Sequence, residues 1–112
     1  MTDCLFCKMV AGDIKPDTVF EDDDVLAFRD ISPQAPVHIL VIPKRHIATL
    51  NDLDDAALGG KLLQTAAELA KQEGIAEAGY RTLFNCNHNG GQAVYHLHLH
   101  LLGGRQMTWP PG

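Results

Sequence analysis

Apolar residues fall along this chain at two periods, about 3.6 and 2, and their alternation predicts one short helix, three strands, one long helix and two strands. Leu5, Phe6, Met9 and Val10 share a helical face, with Asp3 placed to cap the turn and Gly12-Asp13 placed to end it. Thr18-Val19-Phe20 and Val25-Leu26-Ala27-Phe28 read as strands, joined by the acidic turn Glu21-Asp22-Asp23-Asp24. The turn reads as solvated, not as a catalytic or metal-binding carboxylate cluster. Ser32-Pro33-Gln34-Ala35-Pro36 is a stiff loop, because proline fixes its own backbone and extends the residue before it.

Val37 to Ile42 is nearly all apolar and predicts a central, covered strand that stops at Pro43. Asp54 to Gln72 predicts the long helix, with Leu58, Leu62, Ala66 and Leu69 as its apolar stripe. Asp52 or Asp54 is its expected N-cap and Gly74 its stop, while Gly59-Gly60 would permit close packing. Tyr80 to Cys86 and Val94 to Leu102 are the last two strands, with a tight turn at Asn89-Gly90-Gly91 and a non-helical tail from 105 to 112. The sum is a single α+β domain over residues 1–112 with a five-stranded, mainly antiparallel sheet.

Composition narrows the function. A net charge of -5 argues against nucleic acid as a partner, so an anionic ligand would have to be held by local donors. No apolar run is long enough to span a bilayer, and no membrane partner is expected. The start Met1-Thr2-Asp3-Cys4 lacks a basic, apolar leader pattern, so the expected compartment is the cytoplasm. Three cysteines are too few and too uneven for a disulfide framework.

The chemistry concentrates near the end. In an extended segment, side chains alternate between faces, so His96, His98 and His100 share one face and Leu97, Leu99 and Leu101 the other. The leucines are core. Three imidazoles in a row, mostly neutral near pH 7, suit either a metal triad or nucleophilic catalysis. Asn89-Gly90-Gly91-Gln92 just before them suggests a phosphate cradle, in which glycine amides and the Asn and Gln side chains donate to an anion. Cys4-Leu5-Phe6-Cys7 supplies half of a zinc site, and two histidines would complete it.

The run His96-Leu97-His98-Leu99-His100-Leu101-Leu102 resembles the signature of the histidine-triad (HIT) superfamily. Ala27-Phe28-Arg29-Asp30-Ile31-Ser32-Pro33-Gln34-Ala35-Pro36, Val41-Ile42-Pro43-Lys44 and Gly90-Gly91-Gln92 extend the likeness, and with the tail Gln106-Met107-Thr108-Trp109-Pro110-Pro111-Gly112 they resemble its HINT branch, the nucleotide-binding nucleoside phosphoramidases. The resemblance implies a HIT-like fold and a homodimer with the long helix and a sheet edge at its interface. It implies hydrolysis of the P–N bond of purine nucleoside 5′-phosphoramidates, with AMP or GMP as product and no cofactor in the chemistry.

By the same resemblance His98 would be the nucleophile and His100 would bond the phosphate or leaving group. His38 would orient the set, and His96 completes the catalytic histidines. Asp30 would grip the ribose, and Phe6, Phe28 and Ile31 would line the base pocket. Asn85, Gly91, Gln92 and Val94 would border the phosphate. Ala93, Leu99 and Trp109 complete the nucleotide-binding set, Trp109 reaching a site from the partner subunit. Family members commonly carry a polar residue where Ala93 stands, so this chain departs from the pattern there. Other HIT branches bind structural zinc at positions matching Cys4, Cys7, His46 and His96. Other readings stay open at this point: a zinc hydrolase using His96, His98 and His100, dinucleoside polyphosphate hydrolysis or nucleotidyl transfer, and nucleotide binding without turnover.

Overall fold

The computed structural model describes residues 3–112. Helix α1 spans Leu5–Ala11. Its N-cap is Cys4, not Asp3: the Cys4 Sγ accepts the Cys7 N–H at 3.3 Å. Strands β1 (Thr18–Glu21) and β2 (Val25–Arg29) form the expected hairpin. Asp22 Oδ1 closes its turn by accepting the N–H groups of Asp24 and Val25, each at 2.9 Å. Strand β3 spans Val37–Pro43.

The long helix α2 spans Ala56–Gln72 and is capped by Asp55, whose Oδ1 accepts the Leu58 N–H. This corrects the start expected at Asp54. Asp52 is already engaged: its carboxylate accepts the Thr49 N–H in a capping box around a 3-10 turn, Leu50–Asp52. Leu62, Ala66 and Leu69 are buried as the stripe predicts, and Gly74 follows the helix in the left-handed conformation. Arg29 grips Glu73 at the end of α2 through two bonds of 2.9 and 3.0 Å.

Strand β4 (Tyr80–Phe84) ends two residues before Cys86, and Asn87–Gly90 is a helical turn, α3, overlapping the tight turn expected at Asn89-Gly90-Gly91. Strand β5 spans Leu99–Gly103, not Val94 to Leu102. The ladder begins late because partners run out. Leu99 sits opposite Val41 and Phe84; beyond Val41 the strand meets Pro43, and beyond Phe84 the chain bends at Asn87. Leu97 N–H turns instead to Ile47 O.

The sheet runs β1-β2-β3-β5-β4, antiparallel at every pairing. Alternation divides its residues. Val25, Ala27, Ile39, Val41, Leu99 and Leu101 face α2, and Leu26, Phe28, Leu40 and Ile42 pack with Phe6 of α1 on the other face. Burying both faces explains why β3, in the centre, is apolar except at His38.

Candidate active site

The alternation predicted for the histidine segment holds even where the ladder does not. Leu97, Leu99 and Leu101 lie in the core under α2. The His98 ring meets the Phe6 ring edge-on at 5.2 Å and lies 4.9 Å from the His100 ring, on the α1 face. The three histidines nevertheless do different jobs.

His98 Nδ1 lies 2.7 Å from the carbonyl oxygen of His96. A carbonyl can only accept, so Nδ1 carries the proton and Nε2 is left with its lone pair. The residue is buried to 7% exposure. A neutral imidazole held through one nitrogen and free at the other is the form that attacks an electrophile.

His100 is set by a relay. The Gln34 N–H donates to His38 Nδ1 at 3.0 Å, which places the His38 proton on Nε2. That proton is donated to His100 Nδ1 at 2.9 Å, which places the His100 proton on its own Nε2. Among the described residues, His100 Nε2 is the one buried side-chain nitrogen or oxygen without a partner. Burial, with His98 and His38 close by, pushes the His100 pKa down to about 4. Burial also lowers that of His38, partly opposed by Asp30, whose Oδ2 is 3.5 Å away. His100 is therefore a neutral donor at pH 7. Asp30, His38 and His100 could by composition hold a metal ion. The Gln34 N–H argues otherwise: with Nδ1 already accepting, Nε2 of His38 would have to lose its only proton to ligate.

His96 points elsewhere. Its Nε2 donates to the Pro43 carbonyl at 2.8 Å, which frees Nδ1. That nitrogen lies 3.3 Å from Cys4 Sγ, 3.5 Å from Cys7 Sγ and 3.2 Å from His46 Nδ1, and Cys7 Sγ is 3.2 Å from His46 Nδ1. Tetrahedral zinc with bonds of about 2.0–2.3 Å would set such atoms about 3.3–3.8 Å apart. Two thiols and two imidazole nitrogens, one with its tautomer fixed by a backbone carbonyl, fit that ion. Burial and Cys4 raise the Cys7 thiol to about 11, a state that a cation between the four groups would reverse. Both ring nitrogens of His96 are thus engaged, one on Pro43 and one on the cysteines. Its ring faces the cysteines, so the triad rings do not converge and the zinc-hydrolase reading loses its geometry.

Other expectations need correction. The Gln92 amide does not face an anion: its nitrogen donates to the carbonyls of Ala48 and Val94, and its oxygen accepts the Asn87 N–H. The N–H groups of Gly91 and Gln92 close the α3 turn on His88 O and Asn87 O. These groups are engaged within the loop itself. Gly91, at φ +76°, ends that turn in a conformation that favours glycine. The Leu99 side chain is wholly buried under α2, which leaves only its backbone for a ligand.

The remaining candidates are distributed as follows. Phe6 and Phe28 form an edge-on pair at 5.4 Å, with Val94 packed against their cluster. Ile31 is 96% exposed beside Asp30, whose Oδ1 accepts the Ser32 N–H. Asn85 is half-buried between β4 and α3, and Ala93 is exposed. Trp109 is 81% exposed in its own chain, its ring 6.0 Å from the Arg81 guanidinium. Sequence reasoning missed Gln34, Pro43 and the His96 carbonyl. They act through main-chain N–H and C=O groups that nearly every residue type possesses, so no side-chain signal could have found them.

The HIT domain model matches residues 11–107. A purine nucleoside phosphoramidase of Escherichia coli is 54% identical over 106 residues, covering 92% of this chain and 88% of that one. A 14 kDa zinc-binding protein of Brassica juncea is 49% identical, covering 98% of this chain and all of the other. The crystal structure of a HIT family hydrolase from Legionella pneumophila superposes with a TM-score of 0.95 at 61% identity, covering 98% and 100%.

Proposed function

From the premise that this chain belongs to the HIT domain family and is a nucleotide hydrolase of it, we propose that it cleaves the P–N bond of purine nucleoside 5′-phosphoramidates through a nucleotidyl group on His98. The observation that carries this is the pairing of a free His98 Nε2 with an unpartnered His100 Nε2–H. His98 Nε2 attacks phosphorus, the P–N bond breaks, and the amine leaves with a proton. Water then attacks phosphorus, releasing the nucleoside monophosphate and His98. His100 donates to a phosphate oxygen or to the departing nitrogen, where developing charge is stabilised most. Ala93 brings no hydroxyl to the amine, which leaves His100 as the side-chain donor beside the nucleophile.

Asp30 serves the ribose hydroxyls, and Phe6, Phe28 and Ile31 the base. The half-exposed pairing of Asp30 with the loop and the bare Ile31 side chain support those roles. Zinc is the ion suited to Cys4, Cys7, His46 and His96; bound there it supplies fixed geometry and not chemistry. Two copies of the chain pair through α2, where Leu63 is 51% exposed, and through the open edge of β4.

The test is rapid quenching with adenosine 5′-phosphoramidate followed by intact-mass analysis. One AMP-sized adduct is expected on the native chain, mapping to His98. Turnover without any such adduct, or undiminished turnover in His98→Ala, would reject the reading.

A further inference from the structure

Two links run from the cysteine–histidine cluster to the nucleophile. The first is a single residue: His96 gives its ring to the cluster and its carbonyl to His98 Nδ1. The second is Phe6, which lies in sequence between Cys4 and Cys7. Its ring meets His98 at 5.2 Å and 86°, and His96 at 5.9 Å and 73°. Helix α1 has seven residues, too short to persist by its own hydrogen bonds. What holds it over His98 is its packing and the two thiols at its start.

We propose that the Cys4, Cys7, His46 and His96 centre is a control on turnover, in which a bound zinc ion sets the orientation of His98 through the His96 carbonyl and the Phe6 ring. This rests on the zinc-binding reading above and goes beyond it. The ion touches neither His98 Nε2 nor the phosphate, so His96 and the other ligands are positioning residues, and Phe6, besides serving the base, positions His98. With zinc bound, His96 Nδ1 is tied down and its Nε2–H stays on Pro43 O, so the peptide after His96 has one orientation. Without it, the facing Nδ1 atoms of His46 and His96, 3.2 Å apart, share only the Cys7 thiol, whose single proton cannot hold both. The His96 ring turns, α1 loosens, and the proton on His98 Nδ1 loses its fixed acceptor.

The test uses the full chain freed of metal by chelation and titrated with zinc chloride. Zinc content, ring 15N NMR signals of His98 and steady-state kinetics are followed together. Expected are one zinc per chain and collapse of the His98 signals to a single form protonated at Nδ1. A rise in kcat of about 10- to 100-fold, with KM changed by less than about threefold, should accompany them. Phe6→Leu probes the second link: zinc content should stay at one per chain while the His98 ring signals spread over more than one form and kcat falls. Zinc bound at one per chain with His98 signals and kcat unmoved overturns the control and leaves zinc binding standing. Failure to bind zinc overturns both. Should the chelated chain unfold, full kcat in Phe6→Leu would overturn the proposal, because the ion would then act on the fold alone.

Discussion

His100 shows how much a single tautomer decides. Its buried Nε2–H has no protein acceptor, and leaving such a donor unpaired costs roughly 1–3 kcal/mol. A phosphate oxygen would relieve that cost, and more strongly as charge builds on it. His100→Ala should therefore lower kcat by about 10²–10³ with KM little changed, by steady-state assay. The relay also has an acid signature. Folded His100 takes a second proton only near pH 4, whereas an unfolded imidazole takes it near 6.5. His38 is displaced the same way. Their contribution to stability is complete above pH 6.5 and is lost as pH falls toward 4. Urea midpoints at successive pH values should decline across that window, and His100→Asn should flatten the decline.

At the scale of elements, the α2 stripe and the β3 strand were legible because burial imposes a period on consecutive residues. Leu62 is wholly buried against the sheet, and Leu62→Ala should cost about 2–5 kcal/mol in chemical denaturation. The ends of elements were less legible. The run from Val94 to Leu102 has strand character throughout, but a strand also needs a neighbour, and residues before Leu99 have none in the ladder. Asn87–Gly90 closes as a helical turn because Gln92 reaches back to the Asn87 N–H. The turn from the sheet into the tail is equally specific. Gly104 has φ +89°, and a Cβ there would sit 2.9 Å from Pro36 Cβ. Gly104→Ala should destabilise by about 1–3 kcal/mol, visible as a lowered Tm.

For the molecule as a whole, the sheet divides labour between its faces. One carries the stabilising core under α2; the other carries α1, the cysteine cluster and the histidine relay. Among the described residues no helix is long and apolar enough to cross a membrane. The proposed dimer places the exposed α2 side chains between copies. Leu63→Glu should shift the sedimentation coefficient toward that of a single chain, since it buries two like charges. A native chain that sediments as a monomer would remove that interface.

What the sequence determined by itself is which residues share a face, because alternation is a property of consecutive backbone units. His96, His98 and His100 had to lie opposite Leu97, Leu99 and Leu101 once the segment was extended. What the His96 and His100 rings do was decided only by tertiary structure, whereas the His98 tautomer is set by the carbonyl two residues before it. Gln34, Pro43, Cys4 and Cys7 come from distant parts of the chain, and they choose which nitrogen bears the proton and which way it points. Periodicity is local, whereas hydrogen-bond partnership depends on where the rest of the chain has come to rest.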